Sequence, residues 1–254
     1  MILKVTGLGF SYNGRRLLDG IGFSVHRGEM LVVVGINGVG KTTLLKCLCG
    51  ILTPDRGNIL LEGKQISRMS RIEVARRIGY VPQRYSDTDM SVFDAVLLGR
   101  KPHIGWAVAE KDLQITENIL AMLNLESMAL RPISSLSGGE IQKVMIGRSL
   151  AQSPELLLLD EPTSNLDLRN QIEIMDILAG VVKQKDLAII VTMHDINTAL
   201  RFADRFLMLK DGCIHSMTPR ESITEELIRH VFDVDVVMGS VGDYQVVIPA
   251  KPVQ

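Results

Sequence analysis

Met30-Leu31-Val32-Val33-Val34 runs without a break into Gly35-Ile36-Asn37-Gly38-Val39-Gly40-Lys41-Thr42, and this junction decides the architecture. Consecutive apolar residues ending at a glycine-rich turn read as a strand covered on both faces. The glycines tolerate positive φ and allow close approach, so successive backbone N–H groups can point into one concavity. A helix starting near Lys41 and running through Thr42 to Cys49 adds the positive end of its dipole. The pattern is that of a phosphate loop. In such a loop Lys41 reaches the β- and γ-phosphates and Thr42 offers its hydroxyl to Mg2+. The candidate phosphate-binding set is therefore Gly35, Asn37, Gly38, Gly40, Lys41, Thr42 and Thr43. Strand, phosphate loop and helix in this order begin a parallel α/β core.

A second stretch completes the chemistry. Leu156-Leu157-Leu158-Leu159 is another continuous apolar strand, and it ends in Asp160-Glu161-Pro162. Asp160 is delivered beside the phosphate site to hold Mg2+. Glu161, one residue on, is placed to polarise an attacking water as general base.

Outward from these two strands the pattern stays α/β. Leu3–Thr6, Leu8–Tyr12 and Ile21–Val25 read as short strands, with Asn13-Gly14 as a turn, and Ile59–Leu61 reads as another before the Glu62-Gly63 turn. Residues 90 to 152 are mostly helical in pattern, broken at Pro102, Gly105 and Pro132. Ala188–Thr192 is a further buried strand. Before it, 169–183 predicts an amphipathic helix with Ile172, Met175, Leu178 and Val182 on one face. Arg205–Lys210 is a strand ending at Asp211-Gly212, and 221–254 predicts a helix followed by two short strands.

Composition narrows the class. The 254 residues are 46% hydrophobic, and 28 Lys+Arg against 29 Asp+Glu leave a net charge of -1. That balance argues against a polyanion-coating protein, so no nucleic-acid partner is expected. The longest apolar runs are too short to cross a bilayer, and no stretch reads as a signal peptide. A cytosolic chain that meets a membrane only through partners is the expectation. Cys47, Cys49 and Cys213 make no disulfide framework and read as small apolar residues in a reducing compartment.

The phosphate loop and the Asp-Glu strand alone indicate a P-loop NTPase. Leu136-Ser137-Gly138-Gly139-Glu140 is more specific: it resembles the signature of the ABC ATPases. Ser137-Gly138-Gly139 opens a predicted helix with Ile141, Val144 and Met145 on its apolar face, and a helix start with free N–H groups suits a γ-phosphate. The resemblance implies that this second cap comes from a facing copy, so that two ATP molecules are sandwiched in a head-to-tail dimer. It also implies a P-loop NTPase core of mainly parallel sheet, an N-terminal antiparallel β subdomain and a helical subdomain. On that frame a single domain over 1–254 comprises the β subdomain and phosphate-loop core (1–88), the helical subdomain with the signature (89–152), the rest of the core (153–220) and the tail (221–254).

The remaining landmarks of the family fall in order. Tyr12 resembles the aromatic that stacks on adenine. Gln83, in Tyr80-Val81-Pro82-Gln83, resembles the glutamine that senses Mg2+ and water and links to a membrane subunit. Ser164-Asn165-Leu166-Asp167 resembles the loop joining the two ATP sites, which puts Asp167 with Ser137, Gly138 and Gly139 among the nucleotide contacts. His194, in Thr192-Met193-His194-Asp195, resembles the histidine that contacts the γ-phosphate. The catalytic set implied is Glu161, His194, Gln83 and Lys41, with Thr42, Gln83 and Asp160 toward the metal and ATP and Mg2+ as ligands. Departures are small: Ile36 where many relatives carry proline, Glu140 rather than glutamine, and Asn165 where alanine is common.

Lone ABC units without spanning segments resemble importers built from separate subunits. Arg71–Gln83, Val96–Arg100 with Pro102-His103, and Asp233–Pro249 resemble ATPases of the iron-siderophore, haem and cobalamin uptake group. That reading implies a second copy, two polytopic permease subunits, an external solute-binding protein acting through them, and a place on the cytoplasmic face of the membrane. Molybdate or tungstate import is an alternative within the same architecture. A soluble ABC ATPase of DNA repair or translation, or the ATPase of a multi-subunit exporter, is an alternative outside it.

Overall fold

The computed structural model describes residues 1–83 and 89–252. The boundary expected at 88/89 and the last two residues of the expected tail touch positions outside that range. β1 (Leu3–Tyr12) and β2 (Arg15–Val25) form an antiparallel hairpin. Its two-residue turn has Asn13 at φ 48° and Gly14 at φ 81°, the paired positive values that match the twist of the flanking strands. β3 (Met30–Val34) leads through the glycine-rich loop into α1 (Lys41–Leu48). β4 (Arg56–Leu61) and β5 (Lys64–Gln65) then return to the first hairpin, giving an antiparallel sheet of order β2-β1-β4-β5.

α2 (Arg71–Arg77) runs directly into β6 (Ile78–Val81). A helical lobe follows, built from α3 (Val92–Leu97), α4 (Glu110–Met122) and α5 (Gly138–Ala151). The chain re-enters the core with β7 (Leu156–Asp160), α6 (Leu168–Lys185), β8 (Ala188–Thr192), α7 (Ile196–Phe202), β9 (Arg205–Lys210) and β10 (Cys213–Pro219). α8 (Glu225–Phe232) and the hairpin of β11 (Val234–Val241) and β12 (Tyr244–Pro252) close the structure. The main sheet has the order β10-β9-β3-β8-β7-β6, parallel throughout except for β10.

The unbroken apolar character of the central strands has a direct cause. Met30, Val32 and Val34 join one core with the helical lobe, α6 and α7, while Leu31 and Val33 join another with α1 and the antiparallel sheet. Leu157 and Leu159 against Leu156 and Leu158, and Ile189 and Val191 against Ala188 and Ile190, divide the same way. Side chains alternate across a strand, so a sheet buried on both faces needs every position apolar.

Several elements differ from expectation. The strands at 3–6 and 8–12 are one strand, joined through Gly7 at φ 60° with register shifts on either side. β2 begins at Arg15 rather than Ile21. α5 does not carry a single apolar face: Gln142, Lys143, Val144, Met145, Ile146 and Gly147 are all buried, because the helix is packed on most sides. α2, β6, α7 and β10 were not expected. β6 has four residues, too few for a periodic signal, and β10 is an edge strand of mixed polarity. Cys47 and Cys49 are free, and burial pushes their thiols up to about 12 and about 11, whereas Cys213 is exposed on the edge strand β10 and is not the buried residue expected.

Candidate active site

The carboxyl ends of β3, β6, β7 and β8 converge, the position at which open parallel sheets present their ligand crevice. From β3 the loop places Gly38 at φ 82° and Gly40 at φ 109°. A Cβ on Gly40 would stand 2.7 Å from Leu18 Cδ2, and one on Gly35 would stand 2.5 Å from the Leu209 carbonyl oxygen. Both glycines therefore let the loop lie flat against its neighbours. Gly40 caps α1 without any side-chain bond to the helix start, which leaves those N–H groups to the concavity. Asn37 is exposed on the loop, and Thr43 is buried beneath it.

Lys41 is only 5% exposed. Its ammonium donates to the Gly35 carbonyl over 2.8 Å and to the Ile36 carbonyl over 3.3 Å, with a Glu161 carboxylate oxygen 3.9 Å away. Burial lowers the Lys41 pKa below its ordinary range, while the Glu161 and Asp160 charges oppose that shift. The Thr42 hydroxyl donates to Asp160 Oδ1 over 3.0 Å. Gln83 Nε2 donates to Glu161 Oε2 over 2.8 Å. Glu161 itself stands at φ 48°, a left-handed value that turns its side chain out of the β7 direction. The residues fit ATP and Mg2+: glycines and uncapped N–H groups suit phosphate, and a hydroxyl beside a carboxylate is the hard oxygen set that Mg2+ takes.

Ser137 caps α5 in a reciprocal box: Glu140 N donates to Ser137 Oγ, and Ser137 N donates to Glu140 Oε2 over 2.7 Å. The expectation of a wholly free helix start is corrected accordingly, since the box uses two of the N–H groups and leaves those of Gly138 and Gly139 outside it. It also accounts for Glu140, because glutamate closes such a box as well as glutamine does. The Ser137 bonds hold the Glu140 carboxyl below its ordinary range.

Gly139 is buried, and a Cβ there would meet the Asn170 amide at 2.6–2.9 Å. Asn170 in turn donates its backbone N–H and its side-chain N–H to Asp167, over 2.8 and 2.9 Å. Ser137, Gly138, Gly139 and Asp167 thus share one patch organised by Asn170. Lys41, Thr42, Gln83, Asp160 and Glu161 form another, and residues 161–167 connect the two. His194 is exposed just past β8, and Tyr12 is half exposed at the end of the first hairpin with Phe10 edge-on at 4.8 Å.

Two residues escaped sequence reasoning. Thr192, fully buried at the end of β8, donates to Asp160 Oδ1 over 2.9 Å and accepts the Glu161 N–H over 2.9 Å. Asn170 is the other. Neither occupies a position that spacing marks, because each acts through a neighbour brought close only by folding.

The protein-family model described as "ABC transporter" matches residues 18–164. An ABC transporter ATP-binding protein of Methanocaldococcus jannaschii is 51% identical over 249 residues, covering 98% of both chains. A petrobactin import ATP-binding protein of Bacillus anthracis is 34% identical over 245 residues, covering 94% of this chain and 90% of its own. Among solved structures, a transporter assigned to the metal-chelate type, in an inward-facing conformation, superposes with a TM-score of 0.86 at 32% identity, covering 98% of this chain and 97% of that one. A dimeric ATP-binding cassette bound to ADP and Pi superposes with a TM-score of 0.78 at 26% identity, covering 87% of this chain and all of that one. Phosphate loop, Asp-Glu strand, signature helix and these likenesses agree, and the chain belongs to the ABC transporter ATP-binding family, as an ATPase of that fold.

Proposed function

We propose that this ATPase drives the import of a metal chelate of the siderophore, haem or cobalamin kind, working as a head-to-tail dimer beneath two membrane permease subunits. The observation that carries the hydrolytic part is the convergence of Lys41, Thr42, Asp160, Gln83 and Glu161 within hydrogen-bonding or ion-pairing reach. The import part is supported by the relative named for petrobactin import and by the metal-chelate type neighbour.

In this reading the loop N–H groups and Lys41 bind the phosphates, and Tyr12 stacks on the adenine. Mg2+, when bound, neutralises charge on the phosphate oxygens, and Thr42, Asp160 and Gln83 hold it. Glu161 takes the proton of the attacking water, oriented by the Gln83 amide, and His194 contacts the γ-phosphate. Ser137, Gly138, Gly139 and Asp167 serve the nucleotide of the facing copy. An open groove of 760 Å³ is lined by Ile51, Leu52, Met69, Val74 and Tyr80 among others. It shares Tyr80 with β6, the strand that delivers Gln83, which supports docking of a membrane subunit on this side. A solute-binding protein on the far side of the membrane then acts through the permease. Among the described residues no helix is long and apolar enough to cross a membrane, in keeping with a peripheral subunit on the cytoplasmic face.

The test is to isolate the Glu161→Gln protein with ATP from gently solubilised native membranes and identify its companions. A pair of polytopic subunits encoded with a solute-binding protein is the expected result. Recovery only with ribosomes or nucleic acid overturns the import reading.

A further inference from the structure

The C-terminal hairpin lies outside the matched family segment, and the mechanism above gives it no task. Its contacts are specific. Val247 N on β12 donates to Asn197 Oδ1 over 2.8 Å, and Asn197 Nδ2 donates to the Val247 carbonyl over 3.2 Å. The single amide of Asn197 therefore satisfies both polar groups of one strand residue, whose side chain is itself only 3% exposed. One helical turn on, the Arg201 guanidinium lies 5.2 Å from the centre of the Tyr244 ring, also on β12. Residues four apart share a helix face, so α7 is gripped by β12 at two successive turns. The hairpin is anchored from its other strand too, since Met238 N on β11 donates to Glu225 Oε1 of α8 over 2.6 Å.

The start of α7 adjoins the candidate active site. Asp195 caps the helix through the N–H groups of Asn197 and Thr198, and His194 precedes it. On the other side of His194, Met193 N donates to the Val33 carbonyl of β3 over 3.1 Å. His194 thus sits on a short span fixed at one end by the phosphate-loop strand. At the other end it is fixed by a helix whose first turn is tied to β12.

We infer that Asn197 is a positioning residue for hydrolysis, through which the C-terminal hairpin sets the place of His194. The inference rests on the reading of His194 as the γ-phosphate contact. A shift of the α7 start moves His194 while leaving the phosphate loop and Lys41 where they are. Turnover is then affected and ATP binding is not.

The test is a double-mutant cycle on the full chain, with kcat, KM for ATP, equilibrium ATP binding and Tm measured for Asn197→Ala, His194→Ala and the pair. Asn197→Ala is expected to lower kcat about tenfold with ATP affinity unchanged, inside the roughly 10²-fold that a 1 Å misplacement can cost. On the His194→Ala background it is expected to cost nothing further, because residues acting through one group are not additive. Wild-type kcat for Asn197→Ala beside an inactive His194→Ala overturns the inference and leaves the site reading intact. Additive losses, or a fall in ATP affinity that tracks Tm, mean that Asn197 only supports the fold, and also overturn it. Wild-type turnover by His194→Ala removes the site reading and the inference together.

Discussion

The Thr192 hydroxyl stands 2.9 Å from Asp160 Oδ1 and takes the Glu161 N–H at the same oxygen, so one buried side chain on β8 fixes two consecutive acidic residues on β7. Thr192→Val keeps the shape and removes both bonds. It leaves the Glu161 N–H without its acceptor, which costs about 1–3 kcal/mol, while Asp160 Oδ1 keeps the Thr42 hydroxyl as a donor. Thermal unfolding and ATPase rate are both expected to fall for Thr192→Val, and Thr192→Ser is expected to restore both.

Glu161 accepts the Gln83 amide at one oxygen and stands 3.9 Å from Lys41 through the other. Glu161→Gln keeps the volume and removes the base. Turnover is expected to drop by about 10²–10⁴, with ATP binding retained and an ATP-dependent dimer persisting on size exclusion. Lys41→Ala is expected to lose ATP binding itself, read by equilibrium titration.

Gly40 occupies φ 109°, where a side chain is strained and its Cβ meets Leu18 Cδ2 at 2.7 Å. Gly40→Ala is expected to distort the loop at a cost of about 1–3 kcal/mol. Nucleotide affinity should fall as well as Tm, because the strained position lies in the phosphate cradle while its Cβ presses on Leu18 of the core beneath it.

Arg100 and Asp112 form a buried pair in the helical lobe, 2.9 Å apart, with Arg100 also donating to the Ala151 carbonyl over 2.7 Å. Asp112→Ala strands a buried guanidinium and is expected to cost about 3–5 kcal/mol in chemical denaturation. The Arg100 guanidinium, and then the Ala109 N–H, hold the Asp112 carboxyl below its ordinary range. Such a group binds fewer protons folded than unfolded, so its contribution is complete above the ordinary aspartate pKa of about 3.9 and is lost as pH falls through the lower folded value. The stability gap between wild type and Asp112→Asn is therefore expected to narrow below about pH 4.

The sequence by itself determined the parallel core, since strands such as Leu156–Leu159 can be continuously apolar only if both faces are covered. It also determined the three turns with paired positive φ, at Asn13-Gly14, Glu62-Gly63 and Asp211-Gly212, because that conformation is local. The phosphate loop and the Asp160-Glu161 pair were legible because their residues are contiguous, although Thr192 of β8 holds the pair in place. Tertiary structure alone decided what depends on strand order. Placing β8 beside β7 puts Thr192 against Asp160, and placing α6 under α5 forces Gly139 to be small against Asn170. Likewise only the folded chain ties Asn197 to Val247, 50 residues away. These contacts join residues of unremarkable type far apart in sequence, and periodicity carries no information about which of them will meet.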